Sequence, residues 1–227
     1  MAPATVEVSA WAAKDSSGHL APFTFSRRFV LKMPTNLPLD AAAPLLCAGI
    51  TVYSPMKHYQ MDVAGKHFGV VGLGGLGHMA IKFGKAFGMK LTVFSTSASK
   101  EKEALEVLGA DRFIVSKDPE EMEAVAKTTD YIIDTVSASD PLNPYLMKPL
   151  SIHAFSLTSS KWYVRGSGTG GIKETQEMLD LCGEHNITCM IEKIPISYIN
   201  TVIERLEKVD VKYHFVIDIG NGLKSEN

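Results

Sequence analysis

The stretch Gly72-Leu73-Gly74-Gly75-Leu76-Gly77-His78 constrains this chain more than any other. A G-x-G-x-x-G pattern alone is weak, because glycine is common in turns, so its flanks must carry the inference. Before it, His67-Phe68-Gly69-Val70-Val71 is a short apolar run that reads as a buried parallel strand. After it, Leu76, Met79, Ala80, Phe83 and Phe87 share one face of a helix that Gly88 ends. Strand, glycine turn and helix therefore stand in the order of a dinucleotide-binding unit. Gly72 allows the tight turn, Gly74 lets a pyrophosphate approach the backbone, and Gly77 lets helix and strand pack closely, so that phosphates meet the positive end of the helix. A glycine-rich strand-helix turn without a ligand is the plain alternative.

The next strand, Lys90-Leu91-Thr92-Val93-Phe94, bears on which dinucleotide fits. The acid that bonds an NAD ribose belongs near the end of that strand. No Asp or Glu occurs between Gly72 and Lys100. Ser95, Thr96, Ser97, Ala98, Ser99 and Lys100 stand there instead, hydroxyls followed by a cation. That set suits a dianionic 2′-phosphate and removes the carboxylate that would repel it, which predicts NADP(H) as cofactor. A polar loop capping the next helix is the bland reading of the same residues.

The remainder of the chain extends the alternation. Asp118-Pro119-Glu120-Glu121 reads as a capped helix start with Met122, Val125 and Ala126 as its buried stripe. Lys100 to Leu108 forms a helix with Ala104, Leu105 and Leu108 inward, and Phe113 to Val115 and Tyr131 to Val136 form strands three and four. Such a series argues for an α/β fold with a doubly wound parallel sheet, in the order 3-2-1-4. Upstream, residues 1 to about 30 read as a β-hairpin, and a helix over Ala41 to Tyr53 is broken by Pro55. Beyond Asp140 the pattern falters and one central strand is missing. Trp162-Tyr163-Val164-Arg165 reads as a further strand, with Ser151 to Leu157 as a substitute for the missing one. Gly166 to Gly171 opens a helix with Ile172, Thr175, Leu179 and Cys182 inward. In the tail, Ile199, Val202, Ile203 and Leu206 form an amphipathic helix, and Val211 to Ile219 alternate as a strand with one buried face.

Bulk properties exclude several classes. The net charge is −2 with no basic cluster, which argues against nucleic acid or an anionic membrane as partner. No apolar run is long enough to span a bilayer, and the N-terminal residues lack a signal-peptide core, so a cytoplasmic protein is expected. Cys47, Cys182 and Cys189 form neither an even set nor a CxxC, so no disulfide framework is encoded. Cys182, His185 and Cys189 lie close in sequence, but core packing and helix termination explain them more simply than a metal.

Pro44 to Thr51, Gly72 to His78, Ser95 to Lys100, Asp134 to Ser137, Lys173 to Met178 and Phe215 to Asp218 together resemble the plant cinnamyl alcohol dehydrogenase group of the zinc-type medium-chain alcohol dehydrogenases. The resemblance implies a Rossmann sheet, short of one strand, with a remnant of a β-rich catalytic domain. Residues 1–40 would be that remnant, 41–190 the NADP-binding domain, and 191–227 the return to the remnant. It implies that Thr51 and Leu76 flank the nicotinamide, and that Gly72, Leu73, Gly74, Gly75 and Gly77 cradle the pyrophosphate. Thr135, Ser167, Gly168 and Thr169 would complete the cofactor cleft. Cys47 matches a catalytic zinc ligand. The segments holding the other zinc ligands, expected after Arg28, and the fifth strand, expected near Met147, are absent, so Cys47 stands without partners and zinc is doubtful. The implied activity is aldehyde and primary-alcohol interconversion, with a small-molecule substrate and Tyr53 or His58 as positional candidates for a proton donor. A non-catalytic NADP-binding remnant, pairing through its sheet edge with a second copy or a full-length relative, is the competing expectation.

Overall fold

The computed structural model describes residues 6–13, 20–27, 30–125, 128–136, 163–208 and 210–218. The expected hairpin is there: β1 (Val6–Ala13) runs antiparallel to β2 (Leu20–Arg27), with Val6 opposite Arg27 and Ala13 opposite Leu20. A short helix α1 (Leu39–Ala42) and a tighter turn over Ala43–Leu46 then lead to α2 (Ala48–His58). Pro55 lies inside α2, contrary to the expected break. Proline removes one ladder donor, but the ladder resumes at once, with Tyr59 N–H donating to Pro55 O at 3.0 Å. Ile50, Val52, Tyr53 and Met56 bury α2 among its neighbours, and that packing holds the helix through the proline.

The central sheet follows from apolar runs too short and too β-rich for helices. It comprises β3 (His67–Val71), β4 (Lys90–Ser95), β5 (Arg112–Val115) and β6 (Tyr131–Asp134), all parallel, in the order β5-β4-β3-β6. Val70 stands beside Val93 on one side and Ile133 on the other. This is the expected 3-2-1-4 arrangement. Phe68, Val70, Leu91 and Val93 are fully buried, as strands covered on both faces require. The proposed substitute strand at Ser151 to Leu157 lies outside the described residues, as does Trp162. Tyr163 to Arg165 is exposed irregular chain, not the strand expected there.

Helix α3 (Gly77–Ala86) packs its buried residues Met79, Ala80 and Phe83 on the sheet. Helix α4 (Pro119–Ala124) starts as its sequence demands, with the Asp118 carboxylate accepting N–H bonds from Glu120 and Glu121. Its stripe is thinner than expected, since Met122 is exposed and Val125 is the buried residue. Helix α5 (Ile172–His185) buries Thr175, Met178, Leu179 and Cys182, while Ile172 faces outward. Asn186, at φ 53°, closes it in the left-handed conformation.

The tail forms a second small sheet, β7 (Ile191–Pro195) parallel to β8 (His214–Asp218), joined through helix α6 (Ile199–Glu207). Strand β7 has no counterpart in the sequence expectations. The five residues of β8 are all half-buried rather than split between a wet and a dry face. On α6, Val202 is buried but Ile203 and Leu206 are half-exposed. Among the described residues, no single helix is long and apolar enough to cross a membrane.

Candidate functional site

The glycine turn between β3 and α3 has the backbone its sequence requires. Gly72 sits at φ +88°, where side chains are strained. Its N–H donates to Phe94 O at 2.9 Å, which ties the turn to β4. A Cβ at Gly77 would run into Gly72 O, so helix and turn approach as closely as glycine permits. Gly74 differs from both, because a Cβ there would meet no heavy atom within 4 Å and the backbone faces open space. Gly75 lies under the ring of His214, Leu73 is buried and Leu76 half-buried. At the far side, Thr135 Oγ donates to Val71 O at 2.9 Å, fixing the end of β6 to the turn.

The hydroxyl loop lies beside that turn. Buried Ser95 accepts the Ser97 N–H through its Oγ at 3.2 Å, and the Ser97 and Ser99 hydroxyls are 2.8 Å apart. Thr96, Ala98 and Ser99 are exposed. Lys100 reaches back across the turn and its Nζ donates to Leu73 O at 2.7 Å. An ammonium carries three donors, so two remain for an incoming anion. The residues present thus fit a phosphate-bearing dinucleotide: open backbone at a helix N-terminus, with hydroxyls and a cation alongside.

On the other side of the turn an open cleft of about 1300 Å³ brings together Thr51 and Leu76, expected to flank a nicotinamide, with Thr135 and Ser167, expected to complete the cofactor cleft. Thr51 Oγ donates to Cys47 O at 2.7 Å, within α2's first turn. Gly168 and Thr169 are exposed and do not line this cleft. Of the two proton-donor candidates, Tyr53 is buried edge-on against Phe83, and burial, reinforced by Glu177, pushes its hydroxyl up to about 12. Its role is packing. His58 lines the cleft, edge-on to Tyr59. Arg165, which sequence reasoning placed in a strand, lies 5.3 Å above the Tyr59 ring and lines the same cleft. A single cation just ahead of Gly166-Ser167-Gly168 was its one sequence signal.

Cys47 is exposed at the start of α2. Among the described residues no two further His, Cys, Asp or Glu side chains gather with it. Three protein ligands are the usual minimum for a catalytic zinc, so these residues do not fit that metal at Cys47. Cys182 and Cys189 are buried and His185 is exposed, so that trio does not converge either.

Residues 75–148 match the family model for zinc-binding dehydrogenases. The chain is 58% identical over 214 residues to a probable mannitol dehydrogenase of Medicago sativa, covering 88% of this chain and 60% of that protein. It is 49% identical to the solved cinnamyl alcohol dehydrogenase of Sorghum bicolor, with a TM-score of 0.82 over 92% of this chain and 63% of that one. A cinnamyl alcohol dehydrogenase of Helicobacter pylori, solved in complex with NADP(H), shares 31% identity and a TM-score of 0.72 over 92% of this chain and 65% of that one. The parallel sheet, its glycine turn and these likenesses thus match the fold of the medium-chain dehydrogenases. Within that class, the chain is a relative of the plant cinnamyl alcohol dehydrogenase group. It spans about 60% of the length of the curated relatives it matches.

Proposed function

We propose that this chain is an NADP(H)-dependent oxidoreductase of the alcohol dehydrogenase type, working on an aldehyde and primary-alcohol pair of phenylpropanoid, terpenoid or alkaloid origin without the family's zinc. The observation that carries this reading is Gly74, whose backbone faces open space at the start of α3 while Lys100 lies across the same turn. The NADP(H) bound by the Helicobacter pylori relative supports it. In this reading residues 41–190 hold the cofactor, and residues 1–40 and 191–227 belong to a reduced catalytic domain.

Each residue has a defined task. The Gly74 backbone and the N-terminus of α3 take the pyrophosphate. Two Lys100 donors with the Ser97 and Ser99 hydroxyls take the 2′-phosphate. Thr51, Leu76, Thr135 and Ser167 orient the nicotinamide in the cleft, and the cofactor supplies a hydride to the carbonyl carbon. Arg165 and His58 line that cleft, and in this reading they would stabilise charge and deliver a proton at the carbonyl oxygen.

A second reading, a non-catalytic NADP(H)-binding module that pairs through its sheet edge, is favoured by the lack of further metal-ligating side chains around Cys47 among the described residues. Turnover of coniferaldehyde with NADPH, with and without a chelator, separates the two when measured beside a binding titration. Chelator-insensitive turnover supports the zinc-free oxidoreductase. Binding without turnover selects the second reading, and chelator-sensitive turnover with one zinc per chain sinks the zinc-free part.

A further inference from the structure

A second cluster of chemically active side chains lies beneath the glycine turn, apart from the cleft. His78 in the first turn of α3, Cys189 between α5 and β7, and His214 at the start of β8 each bring a ligand atom within 4.8 Å of the other two. His78 and Cys189 are buried, and His214 is half-buried. The three come from segments far apart in the chain. We propose that this cluster is a binding site for a soft monovalent cation, Cu(I), completed by the thioether of Met79.

The donor set argues for the ion. Two imidazoles and a thiolate suit copper or zinc, and a thioether tips the balance to copper. Met79 Sδ lies 3.6 Å from Cys189 Sγ, so both sulfurs can face one ion. His78 is already oriented as metal-binding histidines are, with one ring nitrogen held by a backbone carbonyl. Its Nδ1 donates to Gly74 O at 3.1 Å, leaving an Nε2 lone pair that accepts only a long 3.3 Å bond from the Met190 N–H. Nε2 of His214 is buried and makes no hydrogen bond of normal geometry among the described residues, although the Gly75 backbone carbonyl lies close to the ring. A buried nitrogen without such a bond costs free energy, and an ion would satisfy it.

Charge selects the valence. The Lys82 ammonium donates to Thr188 O at 2.6 Å, next to Cys189. A monovalent ion with one thiolate is neutral, whereas a divalent ion would leave a net positive charge buried beside Lys82. On binding, the Cys189 S–H bond breaks, its proton goes to solvent, and the sulfur bonds copper, which stays Cu(I) throughout. The bound ion would pin β8 to the underside of the glycine turn through His214. The inference does not depend on the proposed enzymatic activity.

The test is an anaerobic Cu(I) titration of the full chain against the chelator bicinchoninate, in a Cys47→Ser background so that the exposed thiol does not contribute. One Cu(I) per chain is expected, with nitrogen and sulfur neighbours in X-ray absorption. Cys189→Ser should abolish it, and His214→Gln, checked for folding by circular dichroism, should weaken it by at least about tenfold. Unchanged stoichiometry in both variants overturns the site. Uptake of Zn(II) in preference to Cu(I) at equal concentrations overturns the monovalent assignment.

Discussion

The Lys100 ammonium donates to the Leu73 carbonyl oxygen at 2.7 Å, and so the loop after β4 is fastened to the glycine turn after β3. The loop proposed to take the 2′-phosphate is therefore tied directly to the turn proposed to take the pyrophosphate.

Replacing Lys100 by alanine removes a charge-assisted contact, worth roughly 1.5–3 kcal/mol. Lys100→Ala should therefore weaken NADPH binding by about tenfold or more and leave NADH binding much less affected. Paired fluorescence titrations with the two cofactors measure this. An unchanged ratio between them would remove Lys100 from the site.

Gly74 and Gly77 should separate binding from folding. Gly74→Ala places its methyl in open space, so the melting temperature should hold while NADPH affinity falls, because the methyl takes the pyrophosphate's place. Gly77→Ala forces its methyl onto the Gly72 carbonyl, and such overpacking costs about 1–3 kcal/mol. Urea denaturation beside NADPH titration checks the pair. A Gly74→Ala chain that binds normally would contradict the placement of the phosphates.

Stability should fall on the alkaline side. Burial, helped by Cys189, pushes the Cys182 thiol up to about 12, and burial raises the Tyr53 hydroxyl to about 12. Above pH 9 the unfolded chain ionises Cys182 while the folded chain keeps its proton, so folding loses free energy as pH rises through about 9 to 12. A shift of about three units bounds the Cys182 contribution at roughly 4 kcal/mol. Cys182→Ala should flatten the alkaline limb of the urea midpoint against pH. A parallel limb would mean that Cys182 ionises equally in both states.

The nucleotide half of the fold was legible because its signals are local. An apolar run, a glycine turn and a helical stripe fix β3 and α3 without reference to distant residues, and Asp118 caps α4 from its own neighbours. Pro55 does not end α2 as its local pattern implies, because its cost is offset by packing around the helix, which no local pattern shows. Strand β7, Ile191–Pro195, is short, carries Glu192 and Lys193 in its middle, and exists through its pairing with β8. The burial of His78 depends on Tyr213, which stacks on it at 4.5 Å, and His214 close by, all brought together by the tertiary fold. Thr51, Leu76, Thr135 and Ser167 are traceable by family resemblance, whereas Arg165 joins the cleft only through the tertiary fold.

The most direct test of the central claim is calorimetric titration of the purified chain with NADPH and, separately, with NADH. One NADPH per chain, bound about tenfold or more tightly than NADH, is the predicted result. Equal affinity for the two cofactors, or no binding of either, would contradict it.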